Sequence, residues 1–309
     1  MKVAELLYKN REWKFERNDE NLNYQNAQLV LAYGVRNIVE DASFFNLLKE
    51  KFPNSEIALS SSSGEIYSND VYDDTVAVTI LHFENAYLKT SKIDITDFTD
   101  SYAAGKVLID KLPKEELKWV LVLSDGSSVN GSQLVEGLNS GRPADVLITG
   151  GLAGDGDHFE KTVVGLNSVA EPNKIVAIGF YGNNLVLSHS SFGGWESFGL
   201  EKTVTKSQNN ILYEIDGKNA LELYKKYLGK YAQELPGSAL LFPLSLTSSN
   251  HPFPVVRTIL SVNENDNSMV FAGDLPEGSK VRFMKANIDR LVDAAHEAAN
   301  QCLEICRQN

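Results

Sequence analysis

Residues 119–155 read WVLVLSDGSSVNGSQLVEGLNSGRPADVLITGGLAGD, two apolar runs separated by a segment long enough for a helix. The first run ends in SDG at 124–126, and the second ends in GGLAGD at 150–155. This pattern predicts a strand, a tight turn, a helix, a second strand and a glycine-rich loop. Both loops would follow carboxyl ends of strands, where open α/β sheets bind ligands and where glycine lets a ligand approach the main chain. The stretch therefore predicts a small-molecule site.

The first part of the chain follows the same plan. A strand is predicted at 28–34, a helix at 41–51 and a second strand at 57–59, which runs into the serine-rich loop SSSSGE at 60–65. We interpret this likeness as a diverged internal duplication, although ordinary α/β units also resemble one another by chance. If the chain is duplicated, the serine-rich and glycine-rich loops are counterparts that face a shared crevice.

Each half is predicted to end in a β-hairpin. The first pairs residues 75–83 with 87–95, and the second pairs 175–181 with 185–191. A helix at 100–112, stopped by a proline, links the halves.

The two ends of the chain differ from this pattern. Residues 1–27 are polar and are expected to form an N-terminal arm or a short edge element. From residue 239 the chain becomes β-rich until a final helix at 288–305, whose predicted apolar face carries Ile288, Leu291, Val292, Ala295, Ala299, Cys302 and Leu303. The predicted class is α/β with mixed sheets and flanking helices: two similar α/β halves followed by a β-rich C-terminal portion ending in a long helix.

Composition and charge limit the classes of function. The net charge is −12, with 43% hydrophobic and 23% charged residues, as in a globular protein. An acidic chain lacks the basic face that nucleic acid or anionic lipid requires, so neither is an expected partner. There is no apolar run long enough to span a bilayer and no signal-peptide pattern, so we expect a cytoplasmic protein.

The loop at Asp125, Gly126 and Ser127 offers charges and donors to a ligand. A ligand carboxylate could rest on the exposed N–H groups of the following helix, while Asp125 could take an ammonium group. An α-amino acid carries both charges. The alternative is structural: the same residues are expected in an Asp-Gly turn followed by a helix that Ser127, Ser128 or Asn130 caps.

The glycine-rich loop, with Gly150, Gly151, Ala153, Gly154 and Asp155, only superficially resembles a phosphate-binding loop. It lacks the Gly-Lys-Ser/Thr ending of a P-loop and the helix that should follow directly, so nucleotide binding is disfavoured. We expect its backbone to lie close to a ligand or to a neighbouring element.

Catalytic and metal chemistry have little support in the sequence. Serines occur at 60–63 and histidines at His82, His158, His189 and His251, but no Gly-x-Ser-x-Gly elbow is present. Next to two aspartates, His158 could suggest a metal site, although a solvated acidic loop explains it better. We therefore expect no catalytic residue, no metal and no cofactor.

Two residues of the later chain are further candidates. Trp195 lies among glycines, where it serves either as a core plug or as a ligand platform. Arg257 lies within an apolar strand pattern, where a cation must be paired. It could bind a ligand carboxylate or pair with Glu264 or another internal acid.

Several separated motifs, in order, resemble the FIST sensory domain of prokaryotic signalling proteins. They are LSDG at 123–126, TGGLAGDGDHFEKTVVGLN at 149–167, SFGGWESFG at 191–199, ILYEIDGKNALELYKKYLG at 211–229, and PVVRTIL at 254–260 with DLPEGSKVRFM at 274–284. The resemblance covers about residues 28–309. The family's first loop usually reads GCSTAGEI, of which Ser-x-Gly-Glu-Ile is retained here.

The resemblance implies a ligand-sensing role, with amino acids or related metabolites as ligands and an output partner such as a histidine kinase or methyl-accepting module. Family members typically continue after the last helix into a strand carrying Cys and Arg. The expected divisions are an arm at 1–27, a FIST N-terminal-like domain at 28–217, and a FIST C-terminal-like portion at 218–309 that is incomplete.

The resulting hypothesis is a cytoplasmic bacterial or archaeal sensor that binds an amino acid or a small carboxylate-like metabolite. The predicted ligand-binding residues are Ser62, Ser63, Gly64, Glu65, Asp125, Gly126, Ser127, Gly150, Gly151, Ala153, Gly154, Asp155, Trp195 and Arg257. The alternatives are a serine-dependent hydrolase and a structural interaction module that binds no ligand.

Overall fold

The computed structural model describes residues 1–248 and 253–308, which form two compact units, Met1–Leu185 and Val186–Asn309. Contacts thus divide the chain after Leu185, earlier than the domain boundary expected at 217. His251, one of the histidines considered above, lies outside the described residues.

The first unit consists of sheets flanked by helices, and every one of its residues is described. Its strands are β1 (Lys2–Lys9), β2 (Glu12–Arg17), β3 (Leu29–Gly34), β4 (Glu56–Ser61), β5 (Glu65–Tyr67), β6 (Asp70–Tyr72), β7 (Thr75–His82), β8 (Tyr87–Asp94), β9 (Leu117–Ser124), β10 (Leu147–Leu152), β11 (Val164–Leu166) and β12 (Lys174–Tyr181). Its α-helices are α1 (Arg36–Val39), α2 (Ala42–Lys51), α3 (Ser101–Asp110) and α4 (Gly131–Gly141). Side chains cap two of these helices, since Asp41 and Asp100 accept hydrogen bonds from the first turns of α2 and α3.

The two main sheets of the first unit share one topology. The first sheet has the order β11-β4-β3-β7-β1-β2, and the second has the order β10-β9-β12-β8. In each, a parallel pair joined through a helix (β3 with β4, β9 with β10) is followed by two antiparallel neighbours. The run β4-β3-β7-β1 therefore corresponds to β10-β9-β12-β8, as expected for two similar α/β halves.

The predicted hairpins are wrong. Strands β7 and β8 follow one another in sequence but belong to different sheets, where β7 pairs with β1 and β3 and β8 pairs with β12. Residues 185–191, expected to pair with β12, are not in a strand. The short connection after β7 is thus the crossing from the first sheet to the second, because β8 corresponds to β1 and begins the second repeat.

The N-terminal residues expected to form an arm are part of the first sheet. Strand β1 lies between β7 and β2, and β2 is the edge strand. One face of β1 packs into a hydrophobic core cluster of the unit through Ala4, Leu6 and Tyr8, and Leu7 on the other face is buried as well.

The two main sheets pack face to face, with helices on their outer faces. A cluster between them combines residues of both sheets: Leu29, Ala58, Phe83, Leu123, Val164, Val176, Ile178 and Phe180. Helix α2 covers the first sheet through Phe44 and Leu48, whereas α3 and α4 cover the second sheet through Leu108 and Leu134. The order of layers is helix, sheet, sheet, helix, with β3, β4 and β9 contributing residues to the layer between the sheets.

The second unit is β-rich, as predicted. Its described strands are β13 (Trp195–Gln208), β14 (Ile211–Ile215), β15 (Lys218–Asn219), β16 (Leu244–Thr247), β17 (Val255–Arg257), β18 (Ile259–Asn263), β19 (Ser268–Phe271) and β20 (Lys280–Ala286). They form a curled sheet in the order β17-β16-β20-β13-β14-β19-β18, with β15 beside β14. Helix α5 (Ala220–Leu228) packs into its core through Leu221 and Tyr224.

The chain as described ends in the long helix α6 (Ile288–Gln308), which confirms the predicted C-terminal helix. Its apolar stripe is largely exposed: Ile288 at 77%, Val292 at 64% and Leu303 at 54%. The apolar face predicted from the sequence pattern is therefore largely exposed in the structure.

Candidate functional site

The serine-rich and glycine-rich loops meet at the carboxyl ends of the two parallel strand pairs. The amide of Gly154 donates to the carbonyl oxygen of Ser61 (3.1 Å), and the amide of Gly156 donates to Ser63 Oγ (3.1 Å). A Cβ atom on Gly154 would lie 2.4 Å from Ser63 Oγ, closer than any ordinary contact. Glycine at 154 therefore allows the two loops to approach this closely.

A cavity of about 520 Å³, which we call the crevice, opens beside this contact. It borders the layer between the sheets, since Tyr33, Leu121 and Leu123 belong both to its lining and to that layer. Its lining is Tyr33, Ser60, Ser61, Ser62, Ser63, Leu121, Leu123, Gly150, Gly151, Leu152 and Gly154. Among these described residues none carries a formal charge.

A second cavity of about 380 Å³, which we call the acidic pocket, shares Ser62 and Ser63 with the crevice. Its lining is Val35, Arg36, Asn37, Ser62, Ser63, Gly64, Glu65, Asp73, Asp74, Asp155, Gly156, Asp157 and His158. The two cavities thus adjoin at Ser62 and Ser63, one with an uncharged lining and one rich in charge.

Glu65 is the most buried carboxylate of the acidic pocket, at 3% exposure. Its two oxygens accept hydrogen bonds from Ser62 Oγ (2.7 Å) and Thr75 Oγ1 (2.6 Å). Burial raises the pKa of Glu65 above its ordinary value, and the two hydroxyl donors only partly oppose this. A cationic ligand group placed here would relieve the cost of the buried charge.

Arg36 is the cationic side chain among the described residues of this lining. Its Nε lies 2.9 Å from Asp155 Oδ1, and its Nη2 lies 3.0 Å from Glu160 Oε2. The second oxygen of Asp155 accepts from the amides of Glu160 and Lys161, both at 3.1 Å. Asp155 therefore holds both the arginine and the start of the following segment in place.

Backbone amides of the loops are largely committed to the fold. Ser61 N donates to Val163 O (2.9 Å), Ser62 N to Gly34 O (3.0 Å) and Ala153 N to Ser124 O (2.7 Å). The expectation that main-chain amides would surround a ligand carboxylate finds few donors here. The four serine hydroxyls of the crevice lining also have hydrogen-bond partners within the fold.

Asp125 is buried at 1% exposure and stabilises the turn after β9. Its carboxylate accepts from the amides of Ser127 (2.6 Å), Ser128 (2.9 Å) and Asn173 (2.7 Å). A Cβ on the neighbouring Gly126 would lie 2.3 Å from the carbonyl oxygen of Ala153. The structural alternative for this loop accounts for these contacts.

The helix after this turn is capped by a different side chain. Asn130 accepts from Ser132 N (3.1 Å) and Gln133 N (3.3 Å) at the start of α4. Of the three capping candidates in the sequence, Asn130 caps the helix.

The loop serines have partners other than histidine. Ser61 Oγ accepts from Val163 N (3.0 Å), and Ser62 Oγ donates to Glu65. His158 Nδ1 lies 3.1 Å from the carbonyl oxygen of Asp155. Among the described residues no group of three or more histidine, cysteine or acidic side chains is arranged to hold a metal ion.

Trp195 and Arg257 belong to the second unit. Trp195 opens β13, where it lies opposite Ala286 of β20. Arg257 Nε donates to the carbonyl oxygen of Asp274 (2.9 Å). The suggested pairing of Arg257 with Glu264 is wrong, because both Glu264 oxygens lie 2.6 Å from Lys225 Nζ.

Sequence reasoning missed Tyr33, Arg36, Leu121 and Leu123, which line the cavities. Tyr33 and Arg36 flank Gly34, at the end of the strand that corresponds to β9. The internal repeat therefore indicates these residues. Tyr33 near the end of β3 corresponds to Leu123 near the end of β9, and both face the layer between the sheets.

The chain belongs to the FIST family: it matches the FIST N domain over residues 28–218 and the FIST C domain over residues 220–308. FIST domains are associated with sensing in signal transduction.

Over 273 residues the chain is 25% identical to an uncharacterised protein of Methanocaldococcus jannaschii. The match covers 80% of this chain and 52% of that protein, so the chain spans about half the length of this relative. No helix in the described part of the chain is both long and apolar enough to cross a membrane.

Proposed function

We propose that this protein is a signalling sensor whose first unit binds an amino acid or a closely related small metabolite. The observation that carries the proposal is the pair of adjoining cavities formed where two corresponding loops of a duplicated fold meet. Cavities of a few hundred Å³ with a small number of polar groups are typical of small-molecule sites. The association of FIST domains with sensing supports the same conclusion.

The acidic pocket offers partners for both charges of an α-amino acid. The ammonium group would lie against Glu65, whose carboxylate is buried without a cation among its hydrogen-bond partners. The carboxylate would lie against Arg36, replacing the exposed Glu160 as the second partner of the guanidinium. Asp155 would keep Arg36 in position during this exchange.

Signal transfer would follow from differential binding. The hairpin of β5 and β6 begins at Glu65, so a ligand that contacts this carboxylate also contacts the start of the hairpin. A ligand that favours one arrangement of this segment shifts the population presented to an output partner. A cytoplasmic location fits the two free cysteines, which are usual in reducing compartments.

Calorimetric and thermal-shift screening of the full chain against the proteinogenic amino acids and small carboxylates tests the proposal. We expect at least one amino acid to bind and stabilise the protein. Glu65→Gln and Arg36→Gln should each weaken binding by about 1.5–3 kcal/mol, the value of a charge-assisted hydrogen bond.

Two matched variants serve as controls. Glu56→Gln removes a carboxylate that also accepts two side-chain hydrogen bonds, and Arg17→Gln removes an arginine that also pairs with two acids. Both should leave binding unchanged. A screen without any ligand, or equal losses in test and control variants, would contradict the proposal.

A further inference from the structure

We infer that the crevice selects the ligand's side chain, admitting uncharged, mainly apolar side chains of the size of leucine, methionine or phenylalanine. This inference rests on the proposed function, because it assigns the acidic pocket to the two charges common to all amino acids. The crevice, which adjoins the acidic pocket at Ser62 and Ser63, then receives the side chain, the part that differs between amino acids.

The lining of the crevice determines the chemical class. Its lining includes Leu121 and Leu123 of β9 and Tyr33, and the hydroxyls of its four serines already have hydrogen-bond partners within the fold. Transfer of a charged side chain from water into the crevice costs free energy, because the lining offers no opposite charge. Transfer of an apolar side chain is favourable. The crevice therefore disfavours aspartate, glutamate, lysine and arginine.

Gly151 determines the size that the crevice accepts. It pairs in register with Leu123, as Thr149 pairs with Leu121, and both leucines pack in the layer between the sheets. Since in-register neighbours share a face, a side chain at 151 would point towards the crevice. A Cβ built there meets nothing within 4 Å, so the space beside it is open. Glycine at this position keeps the crevice wide enough for a large ligand side chain.

The inference is tested by calorimetric titration of the full chain with a panel of amino acids, comparing wild type with Gly151→Leu. For the wild type we expect leucine, methionine and phenylalanine to bind at least about tenfold more tightly than alanine, and charged amino acids more weakly still. Gly151→Leu should lower the affinity for the large ligands by about tenfold or more while changing that for alanine by less than about threefold.

Gly193→Leu is the matched control, because a Cβ there makes only an ordinary contact of 3.8 Å with Trp195. It should change no affinity. The selectivity inference fails, while the proposed function stands, if the affinities for amino acids do not depend on side-chain size and charge. It also fails if Gly151→Leu lowers the affinity for every amino acid equally. If no amino acid binds the wild type, the proposed function itself fails.

Discussion

The contact between the two loops gives a prediction that can be worked through in numbers. In Gly154→Ala the new Cβ would start 2.4 Å from Ser63 Oγ. An ordinary contact needs about 3.5 Å, so Ser63 Oγ must rotate away, and the Ser63 amide nitrogen, 3.2 Å from the new Cβ, must shift by a few tenths of an ångström. The bond from the Gly156 amide to Ser63 Oγ, 3.1 Å long, is lost when the hydroxyl rotates.

The expected cost has two parts. Overpacking of a tight site costs about 1–3 kcal/mol, and loss of one hydrogen bond costs about 1 kcal/mol. We therefore expect Gly154→Ala to lower the free energy of unfolding by about 2–3 kcal/mol. Gly151→Ala, in the same strand and loop region, adds a Cβ into open space and should change it by less than about 0.5 kcal/mol.

Removing the opposing atom should rescue the variant. Ser63→Ala alone should cost about 1 kcal/mol, and the double variant Ser63→Ala/Gly154→Ala should cost at least 1 kcal/mol less than the sum of the two single changes. Equilibrium urea unfolding of the full chain measures these energies. Hydrogen exchange of the amides of Gly154 and Gly156 reports the local separation directly.

Additivity of the two changes would refute the reasoning, because residues that do not touch contribute independently. So would a Gly154→Ala protein with wild-type stability and unchanged protection of both amides. Either result would mean that the serine-rich and glycine-rich loops are not in contact.

Three further predictions concern the titratable groups of the first unit. Because burial raises the pKa of Glu65, stability should fall as pH rises through its folded-state pKa; Glu65→Gln should remove this loss in thermal melts over about pH 4–8. Lys174 and the Thr96 hydroxyl lower the pKa of Asp94 to about 2. Asp94→Asn should therefore cost about 1 kcal/mol at neutral pH and progressively less as pH falls towards that value, measured by urea unfolding. Asp125→Ala leaves three amides without their acceptor and should cost about 3 kcal/mol in the same assay.

Local structure was predictable because local chemistry determines it. Helices α2 and α3 form within the predicted stretches 41–51 and 100–112, and the serine-rich and glycine-rich loops follow the strands expected to precede them. The likeness of the two halves was visible as a repeated order of elements. It located two loops that the structure brings into contact.

Strand pairing was not predictable in the same way. The residues between β7 and β8 look like a hairpin turn, yet the two strands belong to different sheets. A local sequence pattern indicates that a strand is half-buried, but it does not indicate which other strand it pairs with. Strand pairing depends on the packing of the whole unit. The same limit concealed β1 as an inner strand, since its partner β7 is about 70 residues away in sequence.

The role of Asp125 shows the limit within the site. Its neighbours Ser127 and Ser128 are visible in sequence as turn partners, but its third donor, Asn173, is 48 residues further on. Only the fold brings that amide to the carboxylate. Arg36 was overlooked for a similar reason, because its acid Asp155 comes from the other repeat.

The most direct test of the account is a crystal structure of the full chain grown with a saturating concentration of leucine or of the amino acid that stabilises it most in the screen. The account predicts electron density for the ligand with its ammonium group at Glu65, its carboxylate at Arg36 and its side chain in the crevice beside Gly151. A ligand bound elsewhere on the chain, with both cavities unchanged, would contradict it.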